Sequence, residues 1–218
     1  MLSRYQEWLH FVFDRPVTKG GWYFDTDLQN FDADETEIAL LVTQTMENCG
    51  RDLVAYSQDQ VGYGLSYIFN NSCSDIVFSL MDESVDIALR LRAIASIKFL
   101  YRDYLTPNCA PILCAGGVGH TNQLSHICYM LWDVSPLAWW ENRPNRVVFY
   151  DAVVDVLADA LTSTNPACVE SALHGLGHIH SSHIERVEKV ISMYLRRNVF
   201  VAPKLKEYAQ HASVGNVQ

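Results

Sequence analysis

The stretch from Asn165 to Asn198, NPACVESALHGLGHIHSSHIERVEKVISMYLRRN, reads as two antiparallel helices joined by a tight turn. Asn165 can accept hydrogen bonds from first-turn amides, and Pro166 stands where a fixed φ and a missing N–H cost nothing. Val169, Ala172, Leu173, Leu176 and Ile179 then recur at spacings of three and four, which makes one buried stripe. Gly175 and Gly177 each cost roughly 0.5–1 kcal/mol against Ala inside a helix, so they predict the close approach of a neighbouring helix. The turn falls at His180 to Ser182, and Ser182 with Glu185 has the form of a capping box opening the second helix. Its apolar face is Ile184, Val187, Ile191, Tyr194 and Leu195, and Arg196 and Arg197 suit the negative end of its dipole.

A shorter version of the central phrase occurs about a hundred residues earlier. Gly64-Leu65-Ser66-Tyr67-Ile68 matches Gly175-Leu176-Gly177-His178-Ile179, and in each case a small polar turn and a renewed apolar run follow. The echo suggests stacked helical hairpins, and two amphipathic helices that end alike by chance would look the same.

The rest of the chain agrees with an all-α protein. Helical patterns run over residues 3–13, from Ile38 through Met46, and over about 53–70, 74–81 and 84–105, the last with Ser84 as its expected cap. More follow at about 121–135 and 145–161, then the hairpin, then a terminal helix opened by Pro203. Residues 106–120, with Pro107, Pro111 and Gly116-Gly117-Val118-Gly119, predict a connector between two halves, 1–105 and 121–218, of a single domain. With 218 residues, nearly half of them apolar, the chain can bury a substantial core. The first residues resemble neither a signal peptide nor a lipidation signal, and Arg90, Arg92, Lys98 and Arg102 interrupt the most apolar long segment, so a cytoplasmic protein without a membrane span is expected. Six scattered cysteines read as buried thiols rather than a disulfide framework.

This layout of ordinary-length helices and short turns resembles the HEAT-like class of α-helical repeats, with the likeness centred on Ala172-Leu173-His174-Gly175-Leu176-Gly177-His178-Ile179 and its partner helix. The spacing is less regular than in that class. The resemblance implies a binding scaffold, as such proteins often are, and some small acidic bacterial members look like immunity proteins that neutralise a cognate toxin.

Charge gives the expected surface. The formal net charge is −9, and the window from Gly21 to Gly50 holds seven acids, including Asp25, Asp27, Asp32 and Asp34, and no Lys or Arg. Asp151, Asp155 and Asp159 recur every four residues and so project from one helix face. Such acidic zones would dock a basic protein partner, or would simply be solvated faces. Trp139-Trp140 and Trp22-Tyr23-Phe24 are either interface anchors or aromatics that pin loops to the core.

Chemistry has one principal candidate. Glu170, His174 and His178 lie four apart on one helix face, with ligand types suited to a divalent metal. Hydrogen-bonding histidines would produce the same pattern, and neither the His-Glu-x-x-His motif nor the Glu-x-x-His spacing of di-iron bundles is present. Cys109, Cys114, His120 and His126 form a second cluster, with spacing unlike that of zinc fingers. The chain has no Cys-x-x-Cys, no Gly-x-Ser-x-Gly elbow and no phosphate loop. Direct nucleic-acid binding is disfavoured, because the one basic group is Arg186, Lys189, Arg196, Arg197, Lys204 and Lys206. The sequence therefore predicts a non-enzymatic protein-binding module with no cofactor, and its competitor is a metal-dependent enzyme centred on Glu170, His174 and His178. It does not fix the oligomeric state.

Overall fold

The computed structural model describes residues 2–18, 20–27, 30–114, 122–198 and 202–217, and among these the chain is all-α, with no strand. Ten α-helical segments follow in order: α1 (Arg4–Phe13), α2 (Glu35–Asp52), α3 (Gln58–Phe69), α4 (Ile87–Phe99), α5 (Thr106–Asn108), α6 (Gln123–Val134), α7 (Arg146–Ala160), α8 (Pro166–Ile179), α9 (Ile184–Arg197) and α10 (Pro203–Ala212). A π-helical stretch, Leu100–Leu105, joins α4 to the single turn of α5, so one long rod crosses the molecule. Local caps account for most starts. Ser3 and Ser57 each make a full capping box, with Gln6 and Gln60, and Asp34 accepts from the Glu37 amide.

The helices form two layers in which alternate helices are neighbours. One layer runs α2, α4, α7, α9, and the other runs α1, α3, α6, α8, α10. Their shared core is continuous from Trp8 to Ala212. Because α3 packs on α6 and α4 on α7, the two halves expected from the sequence interlock; residues 115–121 of the expected connector lie outside the described residues.

Gly175 of the hairpin and its echo Gly64 mark two close joints of the second layer, and Gly177 admits Val217 beyond the end of α10. A methyl group at Gly175 would stand 2.7 Å from Trp132 Cγ of α6 and 2.9 Å from Leu157 Cδ2 of α7, so only glycine lets these helices close to this distance. At Gly64, the echo position on α3, a methyl group would meet Phe13 Cδ1 of α1 at 2.3 Å. Gly64 and Gly175 thus each receive an aromatic ring from the preceding helix of their own layer.

Several local expectations need correction. The predicted capping box of Ser182 and Glu185 does not form: Ser182 belongs to the 3-10 turn His180–Ser182, and His183 occupies the cap position with no side-chain cap bond. The His183 ring is turned to α7 instead, with Nε2 2.9 Å from Asp151 Oδ1, so a tertiary contact sets this end of the hairpin. Ser84 does not cap α4 either. It hydrogen-bonds Asp82, and Asp86 accepts from the amides of Ala88 and Leu89. Residues 74–81 contain a 3-10 turn, Ile76–Leu80, in place of an α-helix. Asn165 does cap α8, through the Ala167 amide, and its side-chain amide donates to the carbonyls of Thr106 and Cys109, which ties the end of α5 to the start of α8.

Candidate metal centre

Close packing of α6 on α8 brings together side chains that are far apart in sequence. A buried relay fixes the two helices: Trp132 Nε1 donates to Tyr101 Oη at 2.8 Å, Tyr101 Oη and Ser171 Oγ are 2.7 Å apart, and Ser171 Oγ donates to the Cys128 carbonyl. Trp132 lies against Gly175. The residues next to this joint, Asp133 on α6 and His174 on α8, therefore face each other at the layer's edge, with His178 one turn further along.

Asp133, His174 and His178 each offer a ligand atom, and these atoms lie within 4.8 Å of one another. His174 Nε2 and His178 Nε2 are 3.0 Å apart, and His178 Nε2 is 3.2 Å from Asp133 Oδ1. Two donors on one zinc ion at roughly 2.0–2.1 Å would stand about 2.9–3.4 Å apart for angles between about 90° and tetrahedral, so the two separations at His178 Nε2 fit a common ion, while that between His174 and Asp133 is bounded at 4.8 Å. Among the described residues no other group of three or more His, Cys, Asp or Glu donors converges in this way. His174 is buried, His178 is half-buried and Asp133 is exposed, so the ligand set opens to solvent on one side.

The surrounding groups orient the inner ligand. His174 Nδ1 is 2.6 Å from Tyr208 Oη of α10, Tyr208 Oη is 3.3 Å from Tyr129 Oη, and the Tyr129 ring lies 4.6 Å from the His174 ring. Burial, and then the adjacent His178, depress the His174 pKa to about 4 against the pull of Asp133, so its ring is neutral at pH 7. Burial also keeps the Tyr208 phenol protonated.

No protein-family description, curated protein or solved structure matches this chain. The residues themselves must carry the functional reading. Among those described, no helix is long and apolar enough to cross a membrane.

The structure brings together two of the three candidate ligands expected from the sequence, His174 and His178, and places Asp133 rather than Glu170 beside them. Glu170 is buried, and its Oε2 accepts the Cys114 amide at 2.7 Å, outside the converging donor set. Of the second cluster, His120 lies outside the described residues, and Cys109 makes its thiol contacts with Cys128 and Cys168. Cys49, Cys73, Cys109, Cys128 and Cys168 are free thiols, all but Cys73 of them buried.

The acidic stripe is largely answered within the chain. Arg186 of α9 reaches Asp151 at 3.2 Å and Asp155 at 2.5 Å, while Asp159 is exposed. The acids of the earlier loop, Asp25, Asp27, Asp32 and Asp34, are all exposed, beside Phe24, which is 62 % exposed. Trp22 and Trp140 are buried, as loop-pinning aromatics would be, whereas Trp139 is 62 % exposed.

Proposed function

We propose that this protein binds one divalent transition-metal ion through Asp133, His174 and His178 and acts through that ion. The observation that carries the reading is the convergence of three ligand atoms within 4.8 Å, two of them on adjacent turns of one helix and the third on a neighbour locked to it. Two neutral imidazoles and one carboxylate leave a single negative charge against a doubly charged ion. Three protein ligands and an open side match the pattern of a reactive centre, whereas structural zinc sites are closed by four. Water in an open position would have its pKa lowered to about 7 on zinc, which gives the site the means for metal-assisted hydrolysis.

The test is metal content of untagged protein by inductively coupled plasma mass spectrometry, followed by calorimetric titration with Zn2+, Co2+ and Mn2+. One equivalent bound by the wild-type protein and lost in Asp133→Ala, His174→Ala and His178→Ala is expected. Absence of stoichiometric binding of any of the three ions at micromolar concentration would overturn the reading.

A second reading, docking of a basic protein as in a HEAT-like or immunity-type scaffold, is favoured by the exposed acids Asp25, Asp27, Asp32 and Asp34 and the exposed Phe24. Reversing those four charges and measuring association with a co-purified partner tests it, and unchanged affinity would remove that loop from consideration.

A further inference from the structure

Hydrogen positions at the metal centre follow from what each heavy atom faces. His178 Nε2 lies 3.2 Å from an Asp133 oxygen and 3.0 Å from His174 Nε2. A carboxylate only accepts, so a bare His178 Nε2 would set two acceptors against each other; this nitrogen must carry the hydrogen. His174 Nε2 is then the acceptor of the pair. A neutral His174 consequently holds its single hydrogen on Nδ1, which points at Tyr208 Oη 2.6 Å away. The Tyr208 hydroxyl, having accepted there, directs its own hydrogen to Tyr129 Oη at 3.3 Å. The chain of donors runs one way, from the His pair through α10 and back to α6.

We infer that Tyr208 is a positioning residue for the metal centre: its hydroxyl oxygen accepts the Nδ1 hydrogen of the His174 tautomer whose Nε2 lone pair faces the ion, holds that ring in place, and so couples ion binding to the docking of α10 on α8. The inference rests on the metal reading above. In the metal-free protein His174 is already in the ligating tautomer, and only His178 must shift its hydrogen from Nε2 to Nδ1 when the ion takes its place. Ligand basicity then rises through the Nδ1–H bond to the phenol oxygen, as outer-shell partners of metal-bound histidines do. Among the described residues, Tyr208 makes the side-chain hydrogen bonds that connect α10 to other helices; the rest of its contact is the apolar packing of Leu205, Ala209 and Ala212. By linkage, whatever strengthens the His174–Tyr208 bond on ion binding stabilises α10, and a docked α10 raises ion affinity by the same factor.

The experiment compares the full-length wild-type protein with Tyr208→Phe and Tyr129→Phe, each with and without Zn2+. Nitrogen-15 NMR of the histidine rings in the metal-free proteins reads the tautomer. Competition titration reads Zn2+ affinity, and hydrogen exchange over residues 203–212 reads α10. The wild-type protein is expected to show His174 protonated on Nδ1 and slower exchange in α10 when Zn2+ is present. Tyr208→Phe keeps the ring but removes the acceptor, so it should lose about 10–100-fold in Zn2+ affinity and the Zn2+-dependent protection of α10. Tyr129→Phe should retain the tautomer and most of the affinity. A merely structural Tyr208 would leave the affinity unmoved. Zn2+ binding by the wild type together with affinity within twofold in Tyr208→Phe, or a wild-type His174 protonated on Nε2, would refute the positioning role alone. Failure of the wild type to bind Zn2+ would sink the metal reading and this role together.

Discussion

Replacing Tyr101 by Phe tests whether the joint beneath the metal centre is held by polar contacts or by packing alone. Tyr101 is fully buried in the π-helical stretch Leu100–Leu105, where its hydroxyl accepts from Trp132 Nε1 and pairs with Ser171 Oγ. Since Ser171 itself donates to the Cys128 carbonyl, the hydrogens run from Trp132 to Tyr101 to Ser171 to Cys128. Removing one oxygen leaves the ring packing intact, orphans the Trp132 indole N–H in the buried core, and takes a donor from Ser171. An unmet buried donor costs about 1–3 kcal/mol and a lost net hydrogen bond about 1 kcal/mol, so the expected destabilisation is about 2–4 kcal/mol. Urea denaturation should show a lower midpoint with an unchanged slope, and for a chain of this length the melting temperature should fall by roughly 4–16 °C. Ser171→Ala combined with Tyr101→Phe should cost less than the sum of the two single changes, because they break a shared bond. A loss below about 1 kcal/mol in Tyr101→Phe, or strict additivity in the double variant, would refute the claim that this relay fixes α6 on α8.

Other perturbations probe the same joint and its surroundings. Gly175→Ala places a methyl group 2.7 Å from Trp132 Cγ and 2.9 Å from Leu157 Cδ2, so overpacking should cost roughly 1–3 kcal/mol in chemical denaturation; wild-type stability would show that α6 and α7 can retreat freely. Burial and His178 lower the His174 pKa from 6.5 to about 4, so the unfolded chain takes up a proton that the folded chain refuses. Stability of the metal-free protein should therefore fall as pH drops from about 6.5 to about 4, by up to about 3 kcal/mol, and this contribution should level off below that. The difference between wild-type and His174→Gln urea midpoints across that range isolates it, and parallel profiles would contradict the assigned burial. Arg186→Ala, which breaks partly exposed pairs with Asp151 and Asp155, should cost less than about 1 kcal/mol by thermal melting, and a larger loss would mean that the α7–α9 contact depends on charge.

Local chemistry was legible in the sequence wherever a feature depended on residues close along the chain. Asn165 caps α8, Gly175 admits neighbouring helices whereas Gly177 admits Val217 beyond the end of α10, and Trp22 and Trp140 are buried from their loops. The same local reasoning misplaced Ser182, because the α9 start is decided by His183 reaching across to Asp151, a contact that no sequence spacing announces. The metal set shows the limit most sharply. Eight residues of helix rise about 12 Å, so Glu170 and His178 stand too far apart along α8 to share an ion easily with His174 between them. A third ligand has to come from another helix. Asp133 supplies it, but its nearness to His178 depends on α6 packing against α8, from which α7 separates it along the chain. The stripe Asp151, Asp155 and Asp159 was likewise visible as a pattern, whereas Arg186, which answers two of its charges, became relevant only once α9 folded back on α7.

Comparing the two glycine joints separates what the architecture supplies from what the site requires. At the first, Phe13 of α1 presses on Gly64 of α3, and Asp14 follows Phe13; at the second, Trp132 of α6 presses on Gly175 of α8, and Asp133 follows Trp132. The positions flanking the glycines also correspond. Tyr63 and Tyr67 on α3 stand where His174 and His178 stand on α8, and Asp14 bonds His10 of its own helix at 2.8 Å while Asp133 reaches His178 across the joint. Both joints bring an acid-bearing helix end against a helix with paired ring side chains one turn apart. Only the second has imidazoles, which can offer lone pairs to an ion while donating through their other nitrogen. Packing alone therefore explains why two such helices meet so closely, since the first joint achieves it without a ligand. It does not require that the second carry two histidines with a tyrosine set behind the inner one, the arrangement on which the proposed ion site rests.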